Sequence, residues 1–79
     1  MVDFLKKIVS LIIEEPEKLE IVEKSENNLV VYNILVPETE IGKVIGKKGK
    51  VINAIRTLAR LKAFQENKRV LIKIDKLPN

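Results

Sequence analysis

Apolar and polar positions alternate with a helical period over the first thirteen residues. Apolar side chains recur at three- and four-residue spacing, which predicts an amphipathic helix ended by Pro16. The apolar positions are Val2, Leu5, Ile8, Val9 and Ile12. A helix lying on a membrane surface is the alternative, but the polar face is short and two glutamates follow at once. We therefore expect the apolar face to pack against a core.

The next two segments predict strands joined by a tight turn. Residues 19–24 largely alternate apolar and polar side chains, as expected of a half-buried strand. Asn27 and Asn28 follow, and asparagine tolerates the positive φ that hairpin turns require. Residues 29–36 are apolar on both faces apart from two positions, which is typical of a strand that is central or covered twice.

Two helices and a final strand are predicted in the second half of the chain. Residues 38–45 indicate a short helix, a glycine-containing turn follows, and residues 50–64 indicate a longer helix. Residues 69–75 read as a strand that should lie parallel to the second, because it returns after a helical crossover. The predicted fold is an α+β two-layer sandwich with the order αββααβ, a three-stranded mixed sheet and helices on one face.

Composition narrows the possible chemistry. The chain has 79 residues, enough for one small domain, and it contains neither cysteine nor histidine. Disulfides, thiolate nucleophiles, zinc clusters and the usual general base near neutral pH are therefore excluded. We expect no enzyme activity, no metal and no cofactor. The apolar N-terminal stretch is too short to span a membrane and has no signal-peptide cleavage site, so the cytoplasm is the expected compartment.

Charge is divided unevenly between the two halves. Residues 1–40 carry four lysines and nine acidic residues, a net −5. Residues 41–79 carry eleven lysines or arginines and two acidic residues, a net +9. This asymmetry favours an anionic partner, with nucleic acid as the first candidate. A basic surface without a partner is the alternative.

The most informative stretch is a pair of glycines that flank two lysines between the second and third helices. Gly46 and Gly49 permit a sharp turn and a close approach of another chain to the backbone. The turn opens onto a helix N-terminus, where free N–H groups favour phosphate, and Lys47 and Lys48 add mobile cations. The spacing fits neither a Walker A loop nor a dinucleotide-binding fingerprint.

At this stretch the sequence resembles KH domains. The Ile-Gly-x-x-Gly-x-x-Ile core, here residues 45–52, is similar to the signature of domains that clamp about four nucleotides of single strand. The element order resembles the type II, bacterial arrangement. The resemblance implies one KH domain over residues 1–79, with residues 1–28 as an N-terminal helix and strand extension and residues 29–75 as the minimal motif.

The resemblance also implies a set of RNA-binding residues. Contacts to the sugar–phosphate backbone would come from Gly46, Lys47, Lys48 and Gly49. The apolar floor for the bases would consist of Ile41, Gly42, Val44, Ile45 and Ile52. The resemblance places Arg56 at the rim. From the sequence itself, Lys43, Lys50 and Arg56 can extend the positive charge of the loop. Packing is the alternative explanation for Ile45, Ile52 and Gly42, whereas lysines between two glycines have no packing use.

Aromatic residues are scarce, which agrees with the apolar floors that this family uses. The chain has no tryptophan, and Phe4, Tyr32 and Phe64 are its only aromatic residues. This scarcity argues against the aromatic stacking platforms of RRM and OB domains. Tyr32 is interpreted as a strand residue and not as one that stacks on a base.

The long helix has more apolar residues than one face can bury, and a surplus strip commonly marks an interface. We expect helix-to-helix dimerisation through Ala54, Leu58 and Leu61. The resemblance implies homodimers and pairing with a larger KH-containing protein. Two hypotheses follow: a non-catalytic binder of single-stranded RNA that acts as a dimer, and a protein-interaction module in which RNA binding is secondary. The intact glycine loop favours the first.

Overall fold

Three strands form one mixed sheet in the computed structural model, which describes residues 1–78. They are β1 (Glu20–Glu26), β2 (Leu29–Val36) and β3 (Arg69–Lys76), in the spatial order β1-β2-β3. The β1–β2 pair is antiparallel and the β2–β3 pair is parallel, as the sequence predicts. Asn27 has a φ of 54° in the turn between β1 and β2, which confirms the hairpin.

Three α-helices form the second layer, on one face of the sheet. They are α1 (Val2–Ser10), α2 (Ile41–Ile45) and α3 (Lys50–Gln65). Short 3₁₀ turns at Pro16–Lys18, Glu38–Glu40 and Lys47–Gly49 precede β1, α2 and α3. The order αββααβ and the two-layer α+β architecture are therefore confirmed.

The core lies between this layer and the inner face of the sheet. Every second residue of β2 is buried, and Leu5 and Val9 of α1 are completely buried against them. Each such aliphatic side chain contributes about 1.5–3 kcal/mol to the free energy of folding. The burial of Leu5 and Val9 confirms a core-facing first helix. The other core residues are Ile13, Leu19, Val30, Tyr32, Ile34, Val36, Val44, Ile52, Ile55, Ala59, Ala63 and Ile72.

The outer face of the sheet carries no helix in the part of the chain that the structure describes. The residues of β2 that point to this outer face are half-buried. The sequence predicts that this strand is either central in the sheet or covered on both faces. The central position is correct, since β2 lies between β1 and β3, and coverage on both faces is wrong.

The first helix ends earlier than its apolar pattern predicts. It stops at Ser10 and not at the residues before Pro16. The reason is tertiary, since the N–H groups of Glu14 and Glu15 donate to the Glu40 carboxylate, at 2.6 and 3.0 Å, instead of to helical carbonyls. Within residues 1–78, no helix is both long enough and apolar enough to cross a membrane.

Candidate nucleic-acid interface

The loop between α2 and α3 requires glycine at its first position. Gly46 has φ 78° and ψ 169°, a region of the backbone map that only glycine enters readily. A Cβ at this position would collide with the side chain and backbone nitrogen of Val51. The carbonyl of Gly46 then accepts the N–H of Gly49 at 3.0 Å, which closes the turn. The predicted sharp turn is therefore present.

The same loop leads directly into the N-terminus of α3. Gly49, the N-cap residue, is left-handed with φ 74°, and Lys48 before it is also left-handed with φ 57°. No side chain caps the helix, and its first turn contains no acidic residue. The N–H of Lys50, the first residue of α3, donates to the carbonyl of Lys47 within the loop. What this end of α3 offers a ligand is therefore the positive end of the helix dipole, which favours an anion.

Three exposed lysines surround this helix end. Lys47 and Lys48 lie between the glycines, and Lys50 is the first residue of α3; all three side chains are exposed. None of them has a carboxylate within ion-pair distance among residues 1–78. The loop therefore presents uncompensated positive charge beside the positive end of the α3 dipole, an arrangement suited to phosphate.

The predicted apolar floor divides into accessible and buried residues. Ile41 and Ile45 are half-buried on α2 and offer apolar surface beside the loop. Gly42 is exposed, and nothing lies within 4 Å of the position of an added Cβ, so the close-packing explanation for this glycine is wrong. Val44 and Ile52 are 0% and 5% exposed. These two belong to the core and would support the floor from beneath, because their side chains are turned away from any bound strand.

Lys43 is engaged within the protein. Its Nζ lies 2.8 Å from Glu14 Oε1 and 3.6 Å from Glu40 Oε1. The interaction with Glu14 raises the pKa of Lys43, and burial opposes that rise. Lys43 thus ties the chain after α1 to α2, in contrast to the free lysines of the loop.

Arg56 lies on the side of α3 that faces β3, at the free edge of the sheet. Its Nε and Nη2 donate to the carbonyl oxygen of Ile72 at 3.4 and 3.3 Å. A narrow cleft lies between this helix face and the strand, lined by Arg56, Arg60, Val70, Leu71 and Ile72. Arg56 therefore lies beside a cleft between α3 and the edge strand, and its place at the rim of an RNA groove stays a prediction.

Glu40 is a positioning residue that the sequence reading missed. The sequence places it in the first turn of a helix, where acidic residues are common, but its carboxylate is 3% exposed and accepts backbone N–H groups from the segment after α1. The N–H of Glu14 is the main cause of its lowered pKa, with help from Glu15 and Lys43. In the sequence, the only sign of this role is that Glu40 lies directly before Ile41, at the start of a largely apolar segment.

The exposed face of α3 carries the predicted apolar strip. Leu58 and Leu61 are 45% and 61% exposed, and Ala54 is exposed on the same face. Spacings of four and three residues place the three side chains in line along the helix. The strip lies on a different side of α3 from Arg56 and the sheet edge.

Comparison with known proteins agrees with this loop and topology. The model of the KH domain of the KhpA/KhpB family matches residues 2–74. The chain belongs to this family. "RNA-binding protein KhpA" of Chlamydia trachomatis is 38% identical over 74 residues, which cover 94% of this chain and 95% of the relative. The protein of the same name from Caldanaerobacter subterraneus is 34% identical over 74 residues, covering 94% and 99%.

A solved structure contains the same fold. The Era protein of Aquifex aeolicus superposes with a TM-score of 0.68 over 98% of this chain and 30% of the Era chain. At 19% identity this likeness concerns the fold alone. The family assignment confirms the resemblance to type II KH domains, and it confirms the expectation of a binding module and not an enzyme.

Proposed function

We propose that this protein binds single-stranded RNA without catalysis, by clamping about four nucleotides at the Gly46–Gly49 loop and the adjacent groove. The observation that carries the proposal is the intact loop, with two exposed lysines beside an uncapped helix N-terminus. The relatives named RNA-binding protein KhpA support it, since they match over nearly the whole chain. Bacterial RNA meets such a protein in the cytoplasm, which is the compartment we propose.

Each part of the site has a separate task in this proposal. Lysines at the loop and the positive end of the α3 dipole hold phosphates, and these contacts carry no sequence information. Bases lie against Ile41, Gly42 and Ile45, and their edges reach the free edge of β3 beside Arg56. Because one groove contacts few nucleotides, we expect micromolar affinity for a single domain.

Dimerisation would increase this affinity. The apolar strip of Ala54, Leu58 and Leu61 is the proposed interface, either with a second copy or with a KhpB-type (Jag/EloR-like) KH protein. Two grooves on one strand raise the apparent affinity through effective concentration. In this form the protein would act as an RNA chaperone or a post-transcriptional regulator.

The first test compares wild type with the variant Lys47→Asp/Lys48→Asp by fluorescence anisotropy of labelled random-sequence RNA at several salt concentrations. We expect wild type to show a log–log salt slope of roughly −2 to −3, as about four neutralised phosphates require. The variant should lose binding, because it places negative charge where phosphates would lie. Both lysines are exposed, so the fold should be retained.

A charge-matched control separates a local effect from a general one. Lys6→Asp/Lys7→Asp makes the same change in net charge on the exposed face of α1. It should bind RNA much better than the loop variant, and circular dichroism should show that both variants are folded. Equal affinity of the loop variant and wild type would contradict the proposal.

A protein-interaction module is the second candidate function. The observation in its favour is the exposure of Leu58 and Leu61, which serve no purpose in the core of the isolated domain. If wild type binds no RNA at physiological salt yet associates with itself or with a KhpB-type partner, this function replaces the first.

A further inference from the structure

A second groove lies at the opposite end of α3 from the glycine loop. It has a volume of about 400 Å³ and lies between the C-terminal turn of the helix and the start of β3. Its lining consists of Arg60, Ala63, Phe64, Lys68, Arg69 and Val70. Three of these six residues are cations and none is acidic, so this groove suits an anion that also carries apolar surface.

Phe64 is the unusual member of this lining. Its side chain is 81% exposed and lies outside the core cluster. The other two aromatic residues are used elsewhere, since Tyr32 is buried and Phe4 is half-buried with Lys62 Nζ 5.3 Å from its ring centre. A phenylalanine ring exposed among cations is unfavourable for an isolated surface, but it is common where nucleic-acid bases stack.

The groove is continuous with the proposed RNA site. Arg60 lines both this groove and the narrow cleft that contains Arg56. The groove and the cleft both follow the free edge of β3, which is one of the two outer strands of the sheet. A line of positive charge therefore runs from the loop lysines past Arg56 and Arg60 to Lys68 and Arg69. The acid Glu66 does not line this groove; it lines an adjoining cavity that shares Lys68 and Arg69 with it.

We propose that the RNA strand continues from the glycine loop along the edge of β3, with a base stacked on Phe64 and phosphates held by Arg60, Lys68 and Arg69. This inference rests on the proposed function, because the strand must first enter at the loop. From Lys50 to Phe64 the helix rises about 21 Å. At roughly 3.4 Å per stacked nucleotide, this distance corresponds to about six nucleotides. The full site therefore exceeds the four nucleotides of the loop.

Cations would attract RNA and an acidic peptide alike, but the continuity of this groove with the cleft beside Arg56 favours RNA. The groove lies on the same helix side as Arg56, whereas the apolar strip of Ala54, Leu58 and Leu61 lies on the outer face of α3. Leu61 and Phe64 are three residues apart, which separates their directions by about 60° around the helix. A dimer formed through the strip would therefore leave Phe64 beside the interface and not at its centre.

The test compares labelled random-sequence RNAs of four and ten nucleotides, with wild type, Phe64→Ala and Leu11→Ala. Leu11 is 88% exposed and does not line the groove, so Leu11→Ala is a matched loss of exposed apolar surface. Phe64→Ala should weaken binding of the ten-nucleotide RNA about five- to 150-fold, as expected for one lost base–aromatic stack. It should leave the four-nucleotide RNA unchanged, and Leu11→Ala should leave both unchanged.

A second variant tests the phosphate contacts. Arg60→Gln/Lys68→Gln should make the log–log salt slope for the ten-nucleotide RNA shallower by about 1.4, since each phosphate contact contributes about 0.7 on single strands. It should not alter the slope for the four-nucleotide RNA. Both groove variants should retain the circular dichroism spectrum of wild type, because the substituted side chains are exposed.

Two failures are distinguishable. If Lys47→Asp/Lys48→Asp loses binding but Phe64→Ala binds the ten-nucleotide RNA like wild type, the extended path is wrong and the proposed function stands. If the loop variant binds like wild type, the proposed function itself fails. A change in the sedimentation coefficient of Phe64→Ala would assign the ring to a protein interface and would overturn the stacking role.

Discussion

Gly42 and Gly46 are four residues apart at the two ends of α2, but the backbone makes different demands on them. Gly46 adopts a conformation open only to glycine and lies against Val51. Gly42 is helical, and open space lies in front of it. Both glycines belong to the proposed RNA site. Substitutions at the two positions therefore distinguish a glycine that the fold requires from a glycine that RNA binding requires.

Gly46→Ala should destabilise the domain by roughly 1–3 kcal/mol from backbone strain alone, and more if Val51 must move. Gly42→Ala should leave stability unchanged or raise it by about 0.5–1 kcal/mol, because alanine is favoured over glycine inside a helix. Urea unfolding measures both. An unchanged unfolding free energy for Gly46→Ala would contradict the loop geometry described above.

Gly42→Ala has a second expected effect, on binding. A methyl group at this open position would stand where bases approach the floor, so the affinity for RNA should fall while stability does not. Anisotropy with the same labelled RNA measures the change. Unaltered affinity would remove Gly42 from the floor and leave Ile41 and Ile45 as its accessible residues.

Single residues also show which features of the structure could be predicted from the sequence and which could not. Asn27 could be placed in a tight turn because asparagine tolerates positive φ, and the structure confirms it. Val44 and Ile52 could not be distinguished from Ile41 and Ile45, because all four share the apolar face of the loop region. Only the packing of α2 and α3 on the sheet determines which pair is buried.

At the scale of elements, the strands follow their sequence patterns closely. Residues 29–36 were predicted as a strand, and β2 covers the same residues. α1 differs, because its end is determined by a contact across 26 residues, between the Glu14 N–H and the Glu40 carboxylate. Local propensity carries no information about such a contact.

This contact makes stability depend on pH. Hydrogen bonds from Glu14 and Glu15 lower the pKa of Glu40 below its ordinary value of 4.5, so its contribution is present above pH 4.5 and is lost as pH falls through the lowered pKa. Glu40→Gln should have a lower Tm than wild type at pH 6, because the side-chain amide replaces a charged acceptor. The difference should be smaller at pH 3 than at pH 6, because the ionised fraction of Glu40 in wild type falls as the pH approaches its lowered pKa.

Thermal unfolding by circular dichroism at pH 6 and pH 3 measures this difference. Glu17→Gln, at an exposed position of the 3₁₀ turn after α1, is the matched control and should follow wild type at both values. A constant Tm difference between Glu40→Gln and wild type at the two pH values would show that the ionised carboxylate is not the stabilising group.

At the scale of the whole molecule, α3 has two different surfaces, one proposed to bind RNA and the other proposed to form a dimer. Cations follow the loop and the free edge of β3, whereas the apolar strip lies on the outer face of the helix. Net charge in the second half of the sequence indicated the first surface, and surplus apolar residues indicated the second. The separation between them depends on how α3 rests on the sheet.

The apolar strip should make the protein dimeric at tens of micromolar. Leu58→Glu/Leu61→Glu should be monomeric, because two carboxylates would be desolvated in the interface. Leu71→Glu, which changes a 41% exposed leucine on the outer sheet face, is the control and should remain dimeric. Sedimentation velocity measures all three, and a wild-type monomer independent of concentration would contradict the interface.

The central claim is that the glycine loop and the first turn of α3 hold RNA phosphates. Titration of ¹⁵N-labelled protein with a short single-stranded RNA, followed by amide chemical shifts, tests it residue by residue. We predict that the largest shifts occur from Gly46 to Ile52, with smaller ones along the edge of β3. Shifts confined to Leu58 and Leu61, or none at saturating RNA, would contradict the claim.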